Sequence, residues 1–547
     1  MKKIISMILA IGMILGALML PTYAATTDAS EAANGKNFRI GAESSGTYYN
    51  TLNDAIDALN GTGGTIVMIA DYRQTARFSN NEALNSVSGA DKAFVIDGNG
   101  HVLTMDDGSN DNGFIYIFTA DLVFKNMTLV MRSGMRPDAY DGDNTQRSQS
   151  ITFENCKVEF CAVLGDGNTY GPSGRTYAFC VDRVTLNLIF KNTVVNSYAD
   201  LRFIASNRYG IVNVTMENST FNFPSNSRSI QVIELWHHSA SASFTLDGTS
   251  KIITDCILLV DDEHAIIFEA QHVNNALTLN LAAGAEIQVL NNGMPFTTFL
   301  YAGKAGGAAG RAPIINDNGA KWTIGKDVLK SGIVLPDGVV YKTVANNIGW
   351  DIGGKLYPAN NTVVKVADAT ADTVITPVCI GADALTNVEG ASIRTQDPYG
   401  IRFTTKLTAS AYNTLMSYGK SVKYATLIAE SAKLDTEKPV MSVEALGEGN
   451  YTIVEKAKWA EENVNGSYTY RGAYYAINDT KADFNTLYSA TGCIVITYAD
   501  GSVGYVYAAF DKTANSRTLC AVAQAAIAAG TTNNTMLNHI VATATAQ

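Results

Sequence analysis

The chain has 547 residues, 51 of them acidic against 40 basic, and a formal net charge of −11. That length supplies core for two or more domains, and an acidic balance without basic clusters excludes the electrostatic footprint of a nucleic-acid binder. Only 17% of residues are charged while glycines number 46, a composition suited to β-rich chains with many turns.

At the N-terminus, Lys2 and Lys3 precede an apolar run from Ile4 to Leu20, and small residues lead to Ala24. This layout predicts a secretory signal peptide over residues 1–24, although the run approaches the ~20 residues that span a bilayer. The expectation is an extracellular chain, secreted or held non-covalently at the cell surface, with no membrane span after signal removal. A flexible segment is expected over residues 25–36. Seven cysteines are too few and scattered for a disulfide framework, and Cys493 and Cys520 read as core.

An internal repeat follows. Asp121–Met131, Ser150–Phe160, Asn187–Ser197 and Asn213–Phe223 each carry apolar residues four and two positions before a central Asn and another three positions after it. The centres, Asn126, Asn155, Asn192 and Asn218, lie 29, 37 and 26 residues apart. Alternation with period two turns one side of a strand inward. Asn enters the left-handed backbone region readily, so it suits a sharp bend between two short strands. Stacked coils would align these amides into a ladder that satisfies them. In later and earlier copies the bend position falls on Gly98, Gly248, Gly284 and Gly319.

The irregular period excludes short strict solenoids, leucine-rich repeats and propeller blades. It predicts a mainly β protein with a right-handed parallel β-helix over residues 37–365, of about nine coils and roughly 40–45 Å of lateral surface. A β-sandwich of similar strand–turn–strand units is the alternative. Leu52, Ala55, Ile56 and Leu59 predict a helix at the start of this region, followed by the Gly-rich turn and strand of Asn60–Ile69. With these residues and the IDGNGH coil within Lys92–Met105, the chain resembles the pectin-lyase-like β-helix superfamily. The likeness is one of scaffold, and a shared fold does not carry a shared reaction.

A linker is expected over residues 366–390, then a smaller α+β module over 391–530 and a tail over 531–547. Strands are predicted at Gly400–Leu407, Val422–Ala429, Ser467–Ile477, Cys493–Tyr498 and Gly504–Ala508, and helices at Ser410–Tyr418 and from Leu519 to a stop at Gly530. On Ala391–Thr395, Tyr399–Leu407, Ala425–Ala429 and the SRTLCAVAQAA segment, this part resembles a domain found toward the C-terminal side of large secreted clostridial proteins. Arg394, Arg402, Arg471 and Arg517 either cluster or pair with surface acids.

Chemistry is harder to find. Glu234, Trp236 and His238 share one face of a strand by period two, making either a sugar platform or a core aromatic with polar edges. Asp261 and Asp262, with Glu263 and His264, resemble the polygalacturonase double Asp, but that family's remaining motifs are absent. Glu234, His238, Asp261 and Asp262 are therefore the catalytic candidates, since glycoside hydrolysis needs two carboxylates at a set separation. Trp236, Tyr209, Arg202 and Arg208 are the ligand-binding candidates. Asp138, Asp141 and Asp143 form a candidate calcium site, because three carboxylates within six residues suit a hard cation; a solvated loop is the plainer account. The expected function is carbohydrate binding or surface interaction, with a polysaccharide or cell-surface glycan as partner. The alternatives are an extracellular polysaccharide lyase or glycoside hydrolase, and a structural component of the cell envelope.

Overall fold

The computed structural model describes residues 31–32, 34–59, 62–75, 94–106, 121–132, 134–135, 147–160, 177–181, 183–198, 202–206, 209–224, 231–235, 240–255, 260–261, 264–270, 274–290, 297–302, 304–305, 308–309, 314–359, 363–394, 398–456, 461–463, 466–531 and 534–547. The expected signal peptide lies outside them. The chain divides into two compact units, one within Met1–Thr343 and Asn360–Ile375, the other within Val344–Ala359 and Thr376–Gln547.

The first unit is mainly β and is built of long parallel sheets. Its first sheet has twelve strands. It opens with the antiparallel Thr47–Tyr49 and Phe38–Ile40, then continues in parallel from Gly64–Met68 through Phe94–Asp97, Leu122–Lys125 and Arg147–Glu154 onward to Val339–Tyr341. A second sheet carries the strand that follows each bend, from Tyr72–Gln74 and Val102–Met105 through Thr128–Met131 and Lys157–Phe160 to Lys321–Ile324. A third runs from Tyr177–Val181 through Arg202–Ser206, Gln231–Leu235 and His264–Ala270 to Thr297–Ala302. One turn of chain thus passes Val184–Lys191, Val194–Ser197 and Arg202–Ser206 before Ile211–Glu217 returns beside the first of them.

Burial explains why these sequences form these strands. Leu122–Lys125 and Thr128–Met131 alternate buried and half-exposed residues, which is the period-two signature of a sheet with one covered face. The buried members stack from coil to coil. Phe124, Phe153 and Phe190 lie almost parallel, with centroids 5.4 and 5.0 Å apart, an offset arrangement that adds to their burial energy. The predicted opening helix is Leu52–Ala58, N-capped by the Thr51 hydroxyl, with Leu52, Ala55 and Ile56 buried.

The second unit contains two five-stranded sheets, one holding Gly400–Leu407 and Tyr468–Tyr474, the other Val422–Glu430, Tyr488–Thr497 and Val503–Tyr507. They pack so closely that a Cβ on Gly472 would lie 2.2 Å from that of Thr426. The Tyr470 hydroxyl also donates across the gap to the Cys493 carbonyl, at 3.2 Å. Helix Ala409–Met416 follows the first of these strands, and Leu519–Ala528 carries Leu519, Val522 and Ala523 into the core. Arg517 pairs with Glu389 and Arg471 with Glu461, so these two arginines meet surface acids.

Three stretches differ from the sequence reading. Residues 344–359, placed with the repeat, group with the second unit, where Ile348 and Leu356 join a core containing Val378 and Ile494. The expected linker contains strands Thr373–Cys379 and Leu385–Asn387. The expected tail carries helix Thr535–Thr545, capped by the Asn534 side chain, with Leu537, Ile540 and Ala544 buried. Its Ala- and Thr-rich composition hid an apolar spacing of three and then four residues, which suffices once a neighbouring core is present.

Candidate functional site

The bends are where the sequence speaks most directly. Asn126, Asn155, Asn192 and Asn218 have φ of 54, 51, 48 and 48°, the left-handed values that Asn tolerates better than other side chains. Their amides form a ladder: Asn155 Nδ2 donates to Asn126 Oδ1 at 3.2 Å, Asn192 Nδ2 to Asn155 Oδ1 at 3.2 Å, and Asn218 Nδ2 to Asn192 Oδ1 at 2.9 Å. Asn126 Nδ2 reaches Asp97 at 3.1 Å, and Asp247 accepts the Asn218 backbone N–H at 2.9 Å. Burial works against the Asp247 charge, but donors from Ser250, Asn218 and Thr249 outweigh it and hold the carboxyl below its ordinary range.

The glycine bends divide. Gly284 and Gly319 have φ of 91 and 111°, as expected, whereas in the early coil the left-handed residues are Asn99 and Gly100 rather than Gly98. Gly248 is also outside the left-handed region; it is needed because a Cβ there would sit 2.5 Å from the Ala283 carbonyl oxygen.

A second ladder runs one residue further on and was missed. Cys156, Thr193, Ser219 and Ser250 are buried. Cys156 N–H donates to Thr193 Oγ1 at 3.3 Å, Thr193 N–H to Ser219 Oγ at 3.1 Å, and Ser219 N–H to Ser250 Oγ at 3.1 Å. The signal was a small side chain able to hydrogen-bond after Asn155, Asn192 and Asn218, although Met127 follows Asn126. Burial pushes the Cys156 thiol up to about 12, so it is a structural hydrogen-bonding group and a poor nucleophile. Sequence reasoning also missed Asp106, buried between Arg132 at 2.6 Å and Arg73, which ties together three consecutive coils.

At the ends of the first sheet's strands, just before the bends, the residues carry charge in alternation. The parallel register sets Asp97, Lys125, Glu154, Lys191 and Glu217 side by side, with Lys125–Asp97 at 3.2 Å and Lys191–Glu217 at 3.5 Å. Deeper along the first sheet, half-exposed amides and hydroxyls form rows. Asn213 Nδ2 donates to Asn187 Oδ1 at 3.0 Å, Ser243 Oγ to Asn213 Oδ1 at 2.8 Å, and Asn316 Nδ2 to Asn280 Oδ1 at 2.8 Å.

Of the four candidates among the described residues, Glu234, Arg202 and Asp261 fall on the third sheet. Glu234 lies in Gln231–Leu235, opposite Ala205 and Glu269, and is only 1% exposed. Its neighbours Val232, Ile233 and Leu235 are buried as well, so both faces of that strand are covered. Arg202 sits opposite Gln231, and Asp261 opposite His264. The register therefore places Arg202 about 10 Å along the strands from Glu234. Tyr209 is 61% exposed in the turn before Ile211–Glu217, with φ of 56°. His238, Trp236, Arg208 and Asp262 lie outside the described residues, as do Asp138, Asp141 and Asp143.

Among the described residues, no group of three or more His, Cys, Asp or Glu is placed to hold a metal ion, and no helix is long and apolar enough to cross a membrane. No protein-family model, curated protein or solved structure matches the chain.

Proposed function

We propose that the chain is an exported protein whose first unit is a right-handed parallel β-helix of the pectin-lyase-like kind, presenting its lateral faces to a polysaccharide or cell-surface glycan. The supporting observation is the set of amide and hydroxyl rows on the first sheet, Asn187–Asn213–Ser243 and Asn280–Asn316. Parallel strands repeat these groups at ~4.8 Å, and each amide in a row keeps further hydrogen-bonding capacity for a sugar hydroxyl. The alternating charges beside them offer no continuous basic stripe for a polyanion. The ligand that suits this surface is a neutral, extended glycan, and the role is binding.

Incubating the chain without residues 1–24 with insoluble cellulose, chitin and xylan, with and without calcium, tests this reading. Retention on at least one polymer is expected, weakened by Asn187→Lys with Asn213→Lys, and without new reducing ends or unsaturated products. Turnover of any polymer would make the protein an enzyme, and absence of retention on all three would defeat the binding role.

A further inference from the structure

The second unit carries a cleft that the proposed role of the first does not use. Its free space is about 120 Å³, several times the ~30 Å³ that one water occupies in the liquid. It lies at the ends of the strands Val422–Glu430 and Tyr468–Tyr474 and at the start of Tyr488–Thr497. Glu430 and Tyr488 are direct partners across the antiparallel pair, and Tyr474 ends its strand two residues beyond the close approach at Gly472. Asn450 and Thr452 close the remaining side, with Asn450 Nδ2 anchored on the Leu446 carbonyl at 2.9 Å.

The chemistry of the lining is specific. The Tyr474 and Tyr488 rings lie 5.2 Å apart and tilted by 47°, and Glu430 and Lys433 are exposed beside them. Glu430, Lys433, Tyr474 and Tyr488 all line this cleft, and none of their side chains has a hydrogen bond or ion pair to the described residues. Elsewhere in this unit comparable groups are engaged, as with Lys423–Glu455 at 2.7 Å and Tyr418–Asp351 at 2.9 Å. Four unengaged polar groups around two aromatic rings make a site with an acceptor, a cation and two donors ready for a ligand.

We infer that this cleft binds one pyranose unit of a neutral glycan. A sugar hydroxyl donates to Glu430, another accepts from Lys433, and the apolar C–H face of the ring lies against tyrosine. Having one charge of each sign suits an uncharged polyhydroxyl ligand better than an anion or a cation. Burial, with Glu430 among the further causes, raises both phenols above their ordinary range, so at neutral pH they remain hydrogen-bond donors.

The test uses the full mature chain and saturation-transfer NMR with the methyl β-glycosides of glucose, galactose and N-acetylglucosamine, and free lysine, a net cation carrying both signs of charge, as a comparison. Saturable binding of at least one glycoside is expected, weakened about tenfold or more by Glu430→Gln and by Tyr474→Ala. Glu430 is exposed at a strand end, so an unchanged melting curve for E430Q separates loss of binding from loss of fold. The inference is overturned if no glycoside binds, if binding survives both substitutions, or if lysine binds and the glycosides do not. Retention of the E430Q chain on insoluble polymer reports on the first unit, so the two readings are separable.

Discussion

Asn155 shows how much a single residue holds. It adopts φ of 51° and takes part in two ladder bonds, donating to Asn126 and accepting from Asn192. Replacement by Gly keeps the backbone conformation free and removes the two bonds, costing about 1–3 kcal/mol at ~0.5–1.5 kcal/mol for each hydrogen bond. Replacement by Ala adds the left-handed penalty of ~1–2 kcal/mol, for about 2–5 kcal/mol in all. Urea midpoints should rank wild type above Asn155→Gly above Asn155→Ala; equal losses in the two variants would mean that the ladder alone matters. Cys156 behaves differently. Its column continues as Thr193, Ser219 and Ser250, and its Sγ lies 3.3 Å from the Phe124 and Glu154 carbonyl oxygens. Cys156→Ser should therefore fall within about 1 kcal/mol of wild type, while Cys156→Val loses the polar contact and crowds the bend for about 1–3 kcal/mol. A serine variant as unstable as the valine one would contradict a hydrogen-bonding role.

At the scale of the bend, the legibility of the sequence depended on how many physical reasons lead to one residue type. Asn at four matching positions had one good explanation, and the backbone angles bear it out. Glycine had two, a left-handed φ or a close neighbour, and sequence alone does not separate them. Gly319 belongs to the first kind, Gly248 to the second, and Gly284 to both, since a Cβ there would lie 2.7 Å from the Gly248 carbonyl oxygen. The third sheet lacked a repeated marker altogether, so the burial of Glu234 on a strand covered on both faces could not be read from ELWHH. The Asp247 bend also gives a pH signature. Its carboxyl is held below the ordinary value, so its contribution is present above the unfolded pKa of about 3.9 and is lost as pH falls through the lower folded value. Asp247→Asn should lower the melting temperature near about pH 6, and the difference from wild type should shrink toward about pH 3. A difference that grows on acidification would refute this assignment.

For the molecule as a whole, the parallel repeat was legible because one strand–bend–strand unit recurs. The division of the chain was less so, since residues 344–359 have no distinctive composition and are assigned only by the core they join. The clustered tyrosines Tyr474 and Tyr488 stand in separate strands, so their meeting with Glu430 needed the sheet register. In stacked repeats, stability is approximately a sum over coils and the contacts between neighbours. Whole coils are thus natural units of deletion, yet the two kinds of column do not treat them alike. The Asn ladder has the same chemistry on every rung, and removing any number of rungs leaves donor above acceptor. The row Asp97, Lys125, Glu154, Lys191, Glu217 alternates in sign. Deleting residues 127–155 would bring Lys125 beside Lys191, a like-charge contact unfavourable by about 0.2–1 kcal/mol. Deleting 127–192 would bring Lys125 beside Glu217. The one-coil deletion should gain stability as salt is added and the two-coil deletion should not; identical salt responses would show the row to be inert. If the row matters, the scaffold distinguishes odd from even, and lengthening or shortening by duplication is favoured in pairs of coils.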